Sequence, residues 1–80
     1  MDDIDIVHRI SELAAEEHRL ERSHAGGAIS DDERARFHEV EVALDQCWDL
    51  LRQRRARRSV GEDPDEATVR PGDVVEGYQQ

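Results

Sequence analysis

ERSHAGGAISDDERARF, residues 21–37, contains a helix end, a turn and a helix start in seventeen residues. Ala25-Gly26-Gly27 stops whatever precedes it, because paired glycines raise the cost of continuing a helix and readily take left-handed conformations. Ser30-Asp31-Asp32-Glu33 then reads as a capping box. The Ser30 hydroxyl accepts from the Glu33 amide, and the Glu33 carboxylate reaches back to the Ser30 amide. With only about five residues between stop and start, the two helices must lie side by side and antiparallel.

Working outward, the residues on either side keep a helical seam. Upstream, Ile6, Ile10, Leu13 and Leu20 recur at 4-3-4-3 spacing, continued by Glu17 and His24 as two polar interruptions. Asp2, Asp3 and Asp5 stand at the start, where carboxylates favour the positive end of the helix dipole. Downstream, Phe37, Val40, Leu44, Cys47 and Leu51 repeat the spacing, and arginines crowd the end as far as Arg58. The pattern predicts helices over about 3–25 and 31–58; at about 1.5 Å per residue they measure roughly 33 and 42 Å. In an antiparallel pair, positions whose numbers sum to about 57 face each other. Leu20 then meets Phe37, Leu13 meets Leu44, Ile10 meets Cys47 and Ile6 meets Leu51. The N-terminal aspartates fall beside Arg52, Arg54 and Arg55.

Residues 3–58 therefore read as one all-α unit, an antiparallel helical hairpin. Apolar groups remain outside the seam: Val7 and Ala14 on the first helix, Ala43, Trp48 and Leu50 on the second. Ordering some 55 residues costs on the order of 80 kcal/mol, and a lone two-helix interface with few large side chains struggles to offset it. Pairing two hairpins into a four-helix bundle buries the remaining stripe, so the pattern predicts an antiparallel homodimer. Its expected contact residues are Val7, Ala14, Leu44, Trp48 and Leu51, with Trp48 at the centre because large aromatics dominate such contacts.

Periodicity stops after Arg58. Residues 59–80 hold Gly61, Pro64, Pro71, Gly72 and Gly77 with six acids and one arginine, an acidic arm with no third long helix. Asp63-Pro64-Asp65-Glu66 still reads as an N-cap with proline at the first helical position, and Val74, Val75 and Tyr78 form a small apolar cluster. The arm is thus either disordered or docked through a short turn and that cluster.

The charges limit the chemistry. The net charge is −9: residues 1–51 carry −9, residues 52–58 carry +5 and residues 59–80 carry −5. This balance opposes non-specific contact with nucleic acid or anionic membrane. Every basic residue is arginine, which removes P-loop and Schiff-base lysine chemistry. There is no asparagine to accept N-glycosylation. The acidic N-terminus is unlike a signal peptide and no apolar run reaches the ~18 residues of a membrane span, so a cytoplasmic, membrane-free protein is expected. The single cysteine, Cys47, fits a reducing compartment and reads as a small buried hydrophobe.

Two alternatives to a purely structural reading have named residues. Arg52, Arg54, Arg55, Arg57 and Arg58 form the one basic patch suited to phosphates, but acids on both sides are placed to neutralise it. Glu17, Glu21, His24 and His38 could hold a metal in a bundle core, since Glu21 and His24 have the Glu-x-x-His spacing. The plainer reading of the polar seam positions is that they set register, as a polar core residue does in coiled coils. No glycine-rich phosphate loop or nucleophile elbow surrounds Ser11, Ser23, Ser30 or Ser59, so no catalytic residue and no cofactor is expected.

LDQCWDLLRQRRARR (44–58), with GEDPDEATVRP (61–71) after it and AAEEHRLERSHAGG (14–27) and SDDERAR (30–36) before it, resembles a family of small proteins from high-GC bacteria known only as a domain of unknown function. The likeness covers nearly the whole chain. It implies a short, stand-alone helical protein with no assigned activity, ligand or catalytic residue. It also implies that the GEDPDEATVRP arm belongs to the folded unit.

Overall fold

Both long helices begin where side chains replace missing backbone acceptors. At Ser30 the expected box is formed: the Glu33 amide donates to Ser30 Oγ at 3.1 Å, and the Ser30 amide donates to Glu33 Oε1 at 3.2 Å. A second box, between Asp2 and Asp5, opens the first helix, with the Asp5 amide donating to Asp2 Oδ1 at 2.9 Å. The backbone hydrogen bond from Asp5 holds the Asp2 carboxyl below its ordinary pKa.

In the computed structural model, which describes residues 2–76, α1 spans Asp3–Ala25 and α2 spans Asp31–Ser59. A 3-10 turn at Pro64–Glu66 and a short helix α3 at Gly72–Glu76 follow, and no strand occurs among the described residues. The architecture is the expected all-α antiparallel hairpin. Gly26 closes α1 in right-handed geometry, and the reversal falls on Gly27 at φ +140°, a backbone conformation open to glycine.

The core lies toward the open end of the hairpin. Ile6, Ile10, Leu50 and Leu51 form one buried cluster, with Leu44, Cys47 and Ala67 packed against it. Leu13 and Val40 are also buried. Burial of the Cys47 thiol pushes its pKa up. At this open end Arg54 donates to Asp3 Oδ1, and Arg58 reaches Asp3 Oδ2 at 2.8 Å. The aspartate-arginine pairing therefore falls on Arg54 and Arg58. Arg52 and Arg55, also expected there, take no part in it.

The arm docks as far as Glu76. After Gly61, at φ +79°, the chain turns back and runs antiparallel along α2. Asp63 caps the 3-10 turn, with its Oδ1 accepting from the Asp65 amide at 2.9 Å, as the Asp-Pro signal suggested. The next stretch is held by its backbone: Gln53 Nε2 donates to the Thr68 carbonyl at 2.8 Å and Gln46 Nε2 to the Arg70 carbonyl at 3.1 Å. α3 then buries Val75, while Val74 stays exposed. Tyr78, the third member of the expected apolar cluster, lies outside the described residues.

This docking corrects part of the expected stripe. Leu50, assigned to the apolar surplus that a second chain would cover, is only 7% exposed because the chain's own arm packs over it. Ala43 is half-buried on the same side. The groove there is lined by Arg9, Ala43, Gln46, Cys47, Leu50 and Val69.

Candidate functional site

Each helix has two flanks beside its seam, and because the partners are right-handed and antiparallel, equivalent flanks share a side. Residues one before a seam position, Asp5 and Arg9 on α1 with Ala43, Gln46 and Leu50 on α2, line the side that the arm roofs. Residues one after a seam position start on the opposite side, although the arm borders it: His38 reaches Glu76 of α3, and Arg52 lines a cavity with Arg70. Val7 and Ala14 belong to it from α1 and Trp48 from α2. Val7 is 46% exposed and Trp48 44%, whereas Leu50, about 200° round the helix from Trp48, is nearly dry. In the antiparallel register Trp48 lies between the levels of Val7 and Ala14, so the three form one patch.

Two of the five expected contact residues behave differently. Leu51 is 2% exposed inside the hairpin core, where it meets Ile6 and Ile10, so it is unavailable to a second chain. As both a seam position and an expected contact, Leu51 is taken by the seam. Leu44 is half-buried and leans on the same core.

Charges border the patch unevenly. Toward the loop, Glu17 feels Glu21, Glu41 and Asp45; its partial burial first, and these like charges second, raise its carboxyl pKa. Toward the open end stand Arg52 and Arg55, both exposed, neither with a hydrogen bond or ion pair among the described residues.

The rest of the basic patch is neutralised within the chain. Arg54 is buried, binds Asp3 and also donates to Asp65 Oδ1 at 2.9 Å and to the Pro64 carbonyl at 3.2 Å. Arg57 pairs with Glu62 at 3.2 Å and approaches Glu66 at 3.6 Å, and Arg58 holds Asp3. The guanidinium of Arg54, seconded by Arg58, keeps the Asp3 carboxyl below the usual carboxylate range.

The metal candidates do not converge. His38 is exposed and turns to Glu76 of α3, with its Nε2 3.4 Å from Oε1. His24 packs on Phe37, ring centroids 5.4 Å apart and tilted by 51°, and its Nε2 is buried without a hydrogen-bond partner among the described residues. Glu17 sits among carboxylates and Glu21 is exposed. Among the described residues no three His, Cys, Asp or Glu side chains are grouped to hold a metal ion.

The family model for proteins of unknown function designated DUF2630 matches residues 2–80. The chain belongs to that family. It is 51% identical over 77 residues to the uncharacterized protein Mb0922c of Mycobacterium bovis and, equally, to the uncharacterized protein Rv0898c of Mycobacterium tuberculosis. In both cases the match spans 95% of this chain and 88% of the relative. No solved structure matches. The resemblance read from residues 14–71 is thus to this family, and the match includes the arm.

Three residues of consequence are marked by no motif in the sequence. Asp49 is buried on α2, where it accepts from Gln53 Nε2 at 2.9 Å and faces Arg70 at 3.4 Å. Gln46 and Gln53 carry the arm through its carbonyls. The available signal was their spacing, since 46, 49 and 53 repeat at 3 and 4 on the back of α2, where an exposed helix does not need such a stripe.

Proposed function

We propose that this chain is a non-enzymatic helical protein that works by self-association and by contact with other proteins. Its contact face is the open side of the hairpin, centred on Trp48. The observation that carries this reading is the asymmetry of the two sides. The chain spends its own arm on Leu50 and Ala43, yet leaves an indole and a valine nearly half exposed on the other side. Large apolar groups clustered on one open face are the usual mark of an interaction site, and a tryptophan at the centre is the residue type that dominates such contacts.

The chemistry of the remaining surface supports a binding role over catalysis or nucleic-acid recognition. Three of the five clustered arginines are held by Asp3, Glu62, Asp65 or Glu66 and are unavailable to phosphates. No helix among the described residues is long and apolar enough to cross a membrane, which fits the cytoplasmic setting proposed for it.

Light scattering from micromolar to millimolar concentration tests the reading. The expected result is a rise from 9.2 kDa toward twice that mass, abolished by Trp48→Asp with helicity retained. A mass of 9.2 kDa throughout overturns self-association.

A further inference from the structure

The back of α2 and the arm enclose an open cavity between them. Asp49, Gln53 and Ala56, at spacings of 4 and 3, form one wall with Arg52 beside them, and Arg70 of the arm completes the lining around about 450 Å³. A neighbouring hollow of about 350 Å³ shares Gln53, Ala56 and Arg70 and continues along Arg57, Val60 and Glu62. Two guanidiniums from different segments thus line one cavity. Arg70 is anchored there, its Nε 3.4 Å from Oδ2 of Asp49, a residue only 3% exposed whose carboxylate also accepts from Gln53 Nε2 at 2.9 Å. Gln53 gives its second N–H to the Thr68 carbonyl, so its amide oxygen remains as an acceptor. Arg52 is placed differently. Arg54, Arg57 and Arg58 each hold a carboxylate, whereas Arg52 has neither hydrogen bond nor ion pair among the described residues, in a chain with twenty acids against eleven bases.

We propose that this cavity binds a small organic monocarboxylate, with Arg52 as the fork that takes the carboxylate and Arg70, positioned by Asp49, as the second cation. The charges select the class. Arg52 and Arg70 against Asp49 leave one positive charge on the lining, which a monocarboxylate cancels and a phosphate dianion overshoots. The neighbouring hollow adds Arg57 and Glu62, already paired at 3.2 Å, and so supplies no charge for a second anion. A planar guanidinium fork holds a carboxylate through two parallel N–H···O bonds. The volume lies within the ~300–1,000 Å³ typical of small-molecule sites, and Ala56 and the Gln53 oxygen offer the rest of the ligand one apolar and one hydrogen-bonding contact. Because Arg70 belongs to the arm, the cavity is complete only with the arm docked, and a bound ligand stabilises that docking in turn. This role is independent of self-association, since Val7, Ala14 and Trp48 do not line the cavity.

Titrating the full chain with propionate, at constant ionic strength and fixed protein concentration, tests the site through the arginine Nε–H and backbone amide resonances. Saturable shifts at Arg52, Arg70 and Thr68 are expected in the millimolar range, as for a fragment of so few atoms, with none from propionamide, its uncharged counterpart. Arg52→Gln should weaken binding at least about tenfold. Arg55→Gln removes another exposed arginine without an ion pair, one that does not line the cavity, and should leave binding unchanged. Neither substitution removes a contact within the described chain, and far-UV dichroism confirms that both variants fold. Equal weakening by the two variants, or shifts that never saturate, would reduce the effect to general attraction toward the basic end of α2 and overturn the site. Tighter binding of inorganic phosphate than of propionate would overturn the choice of a carboxylate and the charge count behind it.

Discussion

The two ends of the hairpin are built from different materials. At the open end, α1, α2 and the arm meet around Ile6, Ile10, Leu50 and Leu51, and Arg54 ties all three segments together through Asp3, Asp65 and the Pro64 carbonyl. At the loop end the seam offers Glu17, a half-buried Leu20 and His24, whose Nε2 finds no acceptor or donor among the described residues. Across the seam, Arg36 forks onto Glu16 at 2.6 and 2.7 Å, an exposed pair that lowers the Glu16 pKa. Apolar burial and a shared guanidinium make the first end cooperative, whereas the second rests on polar positions that contribute less than leucines would. Hydrogen exchange should therefore protect the amides around Ile10 and Leu51 far more than those around Leu20 and Phe37.

The largest expected effect contrasts one core residue from each end. Ile6→Ala opens a cavity in the buried cluster and should cost about 3 kcal/mol, while Leu20→Ala, half-buried, should cost no more than about half of that. Urea melts of the two variants check this, and equal losses would erase the distinction between the ends. Next comes the docking of the arm. A methyl added at Gly72 would meet Val42 Cγ1 at 2.7 Å, and the valine is too stiff to step aside cheaply. Gly72→Ala should cost about 1–2 kcal/mol and speed exchange at Val75 while leaving the amides of Leu13 unchanged. Uniform acceleration instead would mean that arm and hairpin unfold as one unit.

The same contrast explains what the sequence made legible. Asp3, Ala25 and Asp31 are where the patterns at Asp2–Asp5, Gly26-Gly27 and Ser30–Glu33 put helix ends, because caps and glycines act over a few residues and need no tertiary context. The seam was equally local, since Ile6, Ile10, Leu13, Val40 and Leu51 recur at helical spacing and are all buried. The arm left only part of its docking in the residues. Asp63-Pro64 announced its turn, but Thr68 and Arg70 are recognised by their carbonyls, which every sequence possesses. The apolar surplus therefore gives no sign in the sequence that Leu50 and Ala43, two of its five residues, lie on the side of the arm.

A smaller effect, of opposite sign, is expected at His24. The ring lies on Phe37 at a seam position, and a buried nitrogen without a partner costs of the order of 1 kcal/mol or more. His24→Leu keeps the apolar contact and removes the orphan atom, so it should raise Tm by roughly 4 °C. A lower Tm would show that the imidazole has a partner that matters, and would return the polar seam to a functional role.

The smallest effect separates the ends by pH. Asp3 has a folded pKa below its unfolded one, chiefly through Arg54, so its contribution is present above the unfolded value near ~3.9 and is lost as pH falls through the folded value. Glu17 has the opposite sign. Its folded pKa is raised, so its contribution is fully present below the unfolded value near ~4.3 and is lost as pH rises through the folded one. At neutral pH the ionised Glu17 thus opposes folding, with Glu21 one turn away as its nearest like charge on the helix, and such pairs cost about 0.2–0.5 kcal/mol. Glu17→Gln, placed in a Trp48→Asp background so that no second copy intervenes, should stabilise by about that much at pH 7 and by nothing below pH ~4. A gain that persists in acid would trace to packing and leave the charge argument without support. A gain that disappears would show that the ionised carboxylate itself opposes folding at the loop end, through its partial burial first and its like-charged neighbours second.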